Sequence, residues 1–179
     1  MSGALDLGPL ADVRSEIWNG LATLIFTRTL CHRPERVWRA LVEPSEQLEW
    51  LPFVSDRPLD SLGPARLRMT DDSADTGLLD GEVLEADFAR LLVFRWGEDV
   101  LTWDLQSDDT NTVLILRHTT TLPDHLSSFA AGWHVCIAVL DRFLESCPVG
   151  RIVGLRAIRA GAPELKALYS ARLGLPKND

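Results

Sequence analysis

The segment from Arg33 to Pro52 constrains the fold of this chain more than any other. It holds two short helical units in succession, each opened by a proline (Pro34, Pro44) and each carrying a tryptophan (Trp38, Trp50). Proline suits a first helical position because the N–H it lacks would have no partner there. Val37, Trp38, Leu41 and Val42 recur at helical spacing, which gives the first unit an apolar face. Pro44 ends that unit, and Ser45 is placed to cap a second one carrying Leu48, Trp50 and Leu51. Just ahead, Leu24, Phe26, Arg28 and Leu30 alternate with Thr23, Ile25, Thr27 and Thr29. A period of two with many β-branched residues is the mark of a strand packed on one face. A strand followed by two short helices implies helices tucked against the end of a curved sheet.

Residues 53–64 read as loop, with Pro58, Gly63 and Pro64 as breakers. Strand-like runs follow at 65–70, 78–86, 90–96, 100–106 and 112–120, joined by turn-like segments at 97–99 and 108–111. A spacing of roughly ten residues between strands describes an antiparallel meander. No helical crossover separates the runs, which excludes a doubly wound parallel sheet. Residues 126–146 form the strongest helix. Trp133, Ile137, Leu140 and Leu144 make its apolar stripe, widened by Cys136 and Phe143, with His134, Asp141 and Glu145 opposite. Pro163 opens a last short helix through Arg172. The expected organisation is a leader or short helix over 1–20, one domain over 21–147, and a tail with a short helix over 148–179.

This order resembles the START-like, or SRPBCC, helix-grip superfamily, an α+β fold. Within it the chain is most similar to the branch named for the activator of the ninety-kilodalton heat-shock protein ATPase. The carrying residues are Pro34 to Leu41, Glu49 to Pro52, Gly81 to Glu85, Leu92 to Trp96, Leu114 to His118 and Gly132 to His134. The resemblance spans about residues 21–146. It implies a curved antiparallel β-sheet wrapped around a long C-terminal helix, with two short helices after the first strand and an apolar cavity between sheet and helix. Members of the superfamily bind lipids, hormones or polyketides, and some are cyclases, aromatases or hydratases.

Side chains alternate across a sheet, so the apolar strand faces should turn toward the long helix. The expected cavity wall is Phe26, Arg28, Phe94, Trp96, Trp103, Leu116 and His118 from the sheet, and Trp133, Ile137 and Leu140 from the helix. Trp50 is placed at the mouth, while Trp38 is read as core. Arg28 needs a ligand anion or an internal carboxylate (Glu43, Glu82 or Glu85), because a buried charge deprived of its partner costs about 3–5 kcal/mol. His118 is the one candidate general base, set against a plain hydrogen-bonding role. His134 is assigned to the surface or rim. The four histidines show no H-x-H or HExxH spacing, so no metal site is expected. GxSxG and glycine-rich phosphate loops are absent too, and no cofactor is implied.

A net charge of −8 repels phosphate backbones and argues against nucleic acid as a partner. Three cysteines with no CxxC pair suit a reducing cytoplasm. No secretory signal is visible and no apolar run approaches the ~20 residues needed to span a bilayer, so membrane insertion is not expected. The acidic residues Asp71, Asp72, Asp75, Asp80, Glu82, Glu85 and Asp87 contrast with Arg151, Arg156, Arg159 and Lys166 of the tail. That contrast could support tail docking or a homodimer. The functional reading is non-enzymatic binding of a small hydrophobic or aromatic molecule, lipid- or polyketide-like, in an internal cavity. The alternatives are a cyclase- or aromatase-type enzyme using His118 and Arg28, and a co-regulator of a chaperone ATPase.

Overall fold

A computed structural model describes residues 5–70 and 77–175. Its strands are β1 (Asp12–Trp18), β2 (Leu21–Leu30), β3 (Phe53–Ser55), β4 (Gly63–Met69), β5 (Leu78–Asp87), β6 (Leu91–Trp96), β7 (Asp99–Asp108) and β8 (Asn111–Thr120). They form one curled antiparallel sheet in the order β1-β2-β8-β7-β6-β5-β4-β3. Hairpins join β5 through β8, β4 pairs antiparallel with β5, and β2 closes back on β8 with Leu24 opposite His118 and Phe26 opposite Leu116. A register shift between Val83 and Glu85 marks a bulge in β5, which bends the sheet. Beside it, a Cβ on Gly81 would lie 2.9 Å from the Arg95 carbonyl oxygen and 3.0 Å from Leu67. Only glycine permits that close approach.

The helices are α1 (Pro34–Val42), α2 (Pro44–Gln47), α3 (Leu126–Leu144), α4 (Gly154–Arg159) and α5 (Ala162–Leu173). Val37, Trp38, Leu41 and Val42 are buried, as their spacing in α1 requires. Helix α2 is only four residues long, its N-cap is Glu43, and Ser45 lies inside it without a capping role. Buried Gln47 ties this region together: its amide donates to the Leu41 carbonyl (2.9 Å) and accepts from the Ser55 N–H (2.8 Å) and hydroxyl (2.9 Å).

Three sequence expectations are corrected. Residues 12–18 form an edge strand on β2 where a leader or short helix was expected. The stretch 53–64 is loop only in part, since Phe53–Ser55 pairs with β4. His134, assigned to the rim, is fully buried. Helix α3 is covered on two sides, by the sheet and by α5, so Val135, Ile137, Val139 and Leu140 are all buried. Its stripe marks one of two buried faces.

Helix α5 docks through Leu165 and Tyr169 onto α3 and β1. Its docking combines this burial with hydrogen bonds of Tyr169 and Arg172, and the acidic stretch has other partners: Glu82 faces Arg95, while Glu85 and Asp87 face Arg90. Asp71, Asp72 and Asp75 lie outside the described residues. The Tyr169 hydroxyl lies 2.6 Å from His134 Nδ1 and accepts from the Ala11 N–H at 3.0 Å. His134 Nε2 lies 2.7 Å from the Leu7 carbonyl, which can only accept, so Nε2 carries the proton and Nδ1 takes the tyrosine O–H. Burial, with the charge of Arg28 adding to it, lowers the pKa of His134 despite the opposing Leu7 bond. Neutral His134 and Tyr169 thus fasten the N-terminal segment and α5 to α3. Among the described residues, no helix is long and apolar enough to cross a membrane.

Candidate functional site

A pocket of about 220 Å³ lies at the N-terminal half of α3. Ser128, Phe129, Gly132, Trp133 and Cys136 line it from α3, Trp96 and Pro52 from the sheet side, and Ile152, Val153, Gly154 and Ala157 from the tail. The α3 residues fall at positions i, i+1, i+4, i+5 and i+8, so one helix face supplies this wall. Gly132 leaves it open, since a Cβ there would meet nothing within 4 Å. No charged side chain is among the lining residues. Burial pushes the Cys136 thiol up to about 12 against the opposing charge of Arg151. At neutral pH it is therefore a protonated apolar wall, and an unreactive one, since the thiolate is the nucleophile.

Behind the pocket, Trp133 Nε1–H donates to His118 Nδ1 (3.1 Å), and His118 Nε2 sits 2.7 Å from Asp99 Oδ2. A ring nitrogen that accepts carries no proton, so Nε2 holds the hydrogen and donates it to Asp99. Burial works to raise the Asp99 pKa. Hydrogen bonds from His118 and Thr120 outweigh it and hold Asp99 below the ordinary carboxylate value. Both His118 nitrogens are therefore engaged and the side chain is fully buried. The Asp99–His118 pair fixes the orientation of the Trp133 indole. His118 also lies against Phe129, with ring centroids 4.2 Å apart, and near Trp96 at 5.6 Å.

Of the residues expected to form the wall, Trp96 and Trp133 line this pocket and His118 stands directly behind them. Phe26, Trp50, Phe94, Trp103, Leu116, Ile137 and Leu140 belong to the packed core and do not line it. Trp50 is fully buried rather than at a mouth, and its indole N–H donates to the Ala40 carbonyl at 3.0 Å. Trp103 links it to the site, 5.8 Å from Trp50 and 5.3 Å from Trp133 between ring centroids. Trp96 carries the one polar oddity of the wall. Its indole N–H is buried and has no hydrogen-bond partner among the described residues.

Arg28 is elsewhere. It lines a separate, polar pocket of about 370 Å³ with Asp6, Asp141, Arg142 and Glu145. Its guanidinium bonds the carbonyls of Leu7 and Pro9, and none of Glu43, Glu82 and Glu85 is its partner. Sequence reasoning missed Phe129, Gly132 and the tail residues Ile152 and Ala157. Phe129 was legible, one helical turn before Trp133 on the same stripe. The tail residues carry no periodic signal.

A curled antiparallel sheet gripping a long helix, with an aromatic pocket at one end of that helix, defines the helix-grip class. Residues 32–145 match the family described as activator of Hsp90 ATPase homolog 1-like protein, and the chain belongs to that family. Solved structures agree on the fold. A conserved Enterococcus faecalis protein of unknown function, EF2215, is 15% identical with a TM-score of 0.68, covering 93% of this chain and 92% of its own. The CalU16 crystal structure from Micromonospora echinospora is 17% identical with a TM-score of 0.66, covering 90% and 95%. DynU16, a protein of the dynemicin biosynthetic locus, is 21% identical with a TM-score of 0.60, covering 70% and 48%. A comparison with curated proteins finds no match.

Proposed function

We propose that this protein binds a small hydrophobic or aromatic molecule in the pocket walled by Trp96, Phe129 and Trp133, and does no chemistry on it. The observation that carries this reading is a concave, uncharged wall of aromatic and aliphatic side chains whose central indole is held in place from behind. Binding sites are mostly apolar, with few but well-placed polar groups. The origin of CalU16-like and DynU16-like relatives, one of them from a biosynthetic locus, is compatible with a polyketide-like ligand.

The geometry favours binding over joint enzymatic use of His118 and Arg28. Arg28 lines the other pocket, and neither nitrogen of His118 has a lone pair or proton to spare. The chaperone reading rests on the family description alone. The test is a tryptophan fluorescence titration with isopropylbenzene, comparing the protein with its Gly132→Leu variant. Saturable quenching in the parent and none in the variant supports the reading. Equal responses refute it.

A further inference from the structure

We infer that β1 is a homodimer interface, at which the β1 strands of two copies pair antiparallel about a two-fold axis at Ser15 and join the two sheets edge to edge. None of the β1 residues lines the apolar pocket, so the inference stands apart from the ligand reading.

Strand β1 ends the sheet, and among the described residues no strand pairs with its outer edge. An edge of this kind presents unpaired N–H and C=O groups to any strand of matching sequence, and proline, lysine or a bulge is the common guard against it. Asp12–Trp18 contains no proline or lysine, and its register with β2 runs unbroken. Val13 and Ile17 lie on the inner face of the sheet, opposite Phe26 and Ala22, yet Val13 is buried while Ile17 is 73% exposed. Trp18, on the other face, is 78% exposed. Two large apolar side chains, one on each face, therefore stand uncovered at this edge.

The strand's own sequence says what covers them. Antiparallel pairs alternate in type, so a two-fold axis must set one residue against its own copy. Centring on Arg14 would oppose two Arg14 side chains and set Asp12 against Glu16. Centring on Glu16 would oppose two Glu16 side chains. Centring on Ser15 engages all seven residues of the strand and sets Arg14 opposite Glu16 and Val13 opposite Ile17, each twice. Trp18 then lies opposite Asp12 and diagonal to Arg14, within reach of its guanidinium. Arg14 and Glu16 are exposed, and neither has an ion-pair partner among the described residues. The strand is thus complementary to itself, in charge and in apolar character, in this one register.

Sedimentation equilibrium of the full chain over a concentration series tests this, alongside Arg14→Glu, Glu16→Arg, an equimolar mixture of the two, and the double variant. The contact is small, so the parent is expected to dimerise with a Kd of about 1–100 µM. Either single variant sets like charges opposite each other at both symmetric pairs and should weaken the dimer about tenfold or more. The mixture and the double variant put Glu opposite Arg again and should recover the parent affinity. A general effect of net charge, −8 in the parent, would instead move the two single variants in opposite directions. A parent chain that stays monomeric throughout the series overturns the inference. So does a dimer that ignores the single variants, one whose affinity follows net charge, or a mixture that does not recover. Each of these results leaves the ligand-pocket reading standing.

Discussion

Gly132 offers the sharpest separation between folding and binding. It sits in the interior of α3, a helix of 19 residues, where glycine is disfavoured by about 0.8–1.0 kcal/mol relative to alanine. A Cβ at this position meets no atom within 4 Å, so nothing in the packing offsets that cost or resists a side chain. Gly132→Ala should therefore stabilise the protein by about 0.8–1.0 kcal/mol, which raises Tm by about 2–4 °C for a domain of this size. Gly132→Leu should keep most of the gain, because leucine is nearly as good a helix former as alanine. Its longer side chain enters the 220 Å³ pocket, and isopropylbenzene binding should be lost. Urea unfolding followed by circular dichroism reads the first effect as a higher midpoint with an unchanged slope. Calorimetric titration reads the second. A destabilised Gly132→Ala protein, or a Gly132→Leu protein that binds as well as the parent, would refute the reasoning that the glycine keeps the pocket open.

Other positions give further tests. The pKa of His134 is lowered in the folded state, so its contribution to stability is complete above about pH 6.5 and is lost as pH falls through the lowered value. Urea midpoints should decline below that pH, and His134→Gln should flatten the decline; a parent midpoint that rises on acidification contradicts the assignment. Tyr169→Phe leaves the Ala11 N–H and His134 Nδ1 unpaired and should cost about 1–3 kcal/mol. A loss below measurement error would show that the N-terminal segment is fastened by other contacts. Gly81→Ala forces a methyl against the Arg95 carbonyl and Leu67 and should cost about 1–3 kcal/mol, read in chemical denaturation. Gln47→Leu strands the Ser55 N–H and the Leu41 carbonyl, with a similar cost of about 1–3 kcal/mol for each buried group left unpaired.

The sheet was largely legible because period-two patterns and turn residues are local. All five strand runs after residue 64 correspond to β4 through β8. The missed strand β1 had a signal too. Asn19-Gly20 links it to β2 with Trp18 opposite Leu21, and both turn residues have positive φ, the geometry of a two-residue hairpin. Exposed Ile17 and Trp18 hide the strand from a hydrophobic pattern, since this edge buries little. The helix α3 was found, but its covering was not, because docking of α5 depends on the long-range His134–Tyr169 contact. The site was legible in half. Trp96 and Trp133 follow from strand and helix register. The wall from Ile152 to Ala157 follows from where the tail folds back, and no local pattern encodes that. Asp99 read as a turn residue, and only pairing of β7 with β8 brings it to His118.

The central claim is that a ligand occupies the space between α3 and the folded-back tail. Intermolecular nuclear Overhauser effects from the methyl groups of bound isopropylbenzene test it most directly. The account predicts cross-peaks to Phe129, Ile152 and Ala157, which converge on the pocket from two elements distant in sequence. Cross-peaks to Ala138 and Thr29 at the polar pocket beside Arg28, or none at saturating probe, would contradict it.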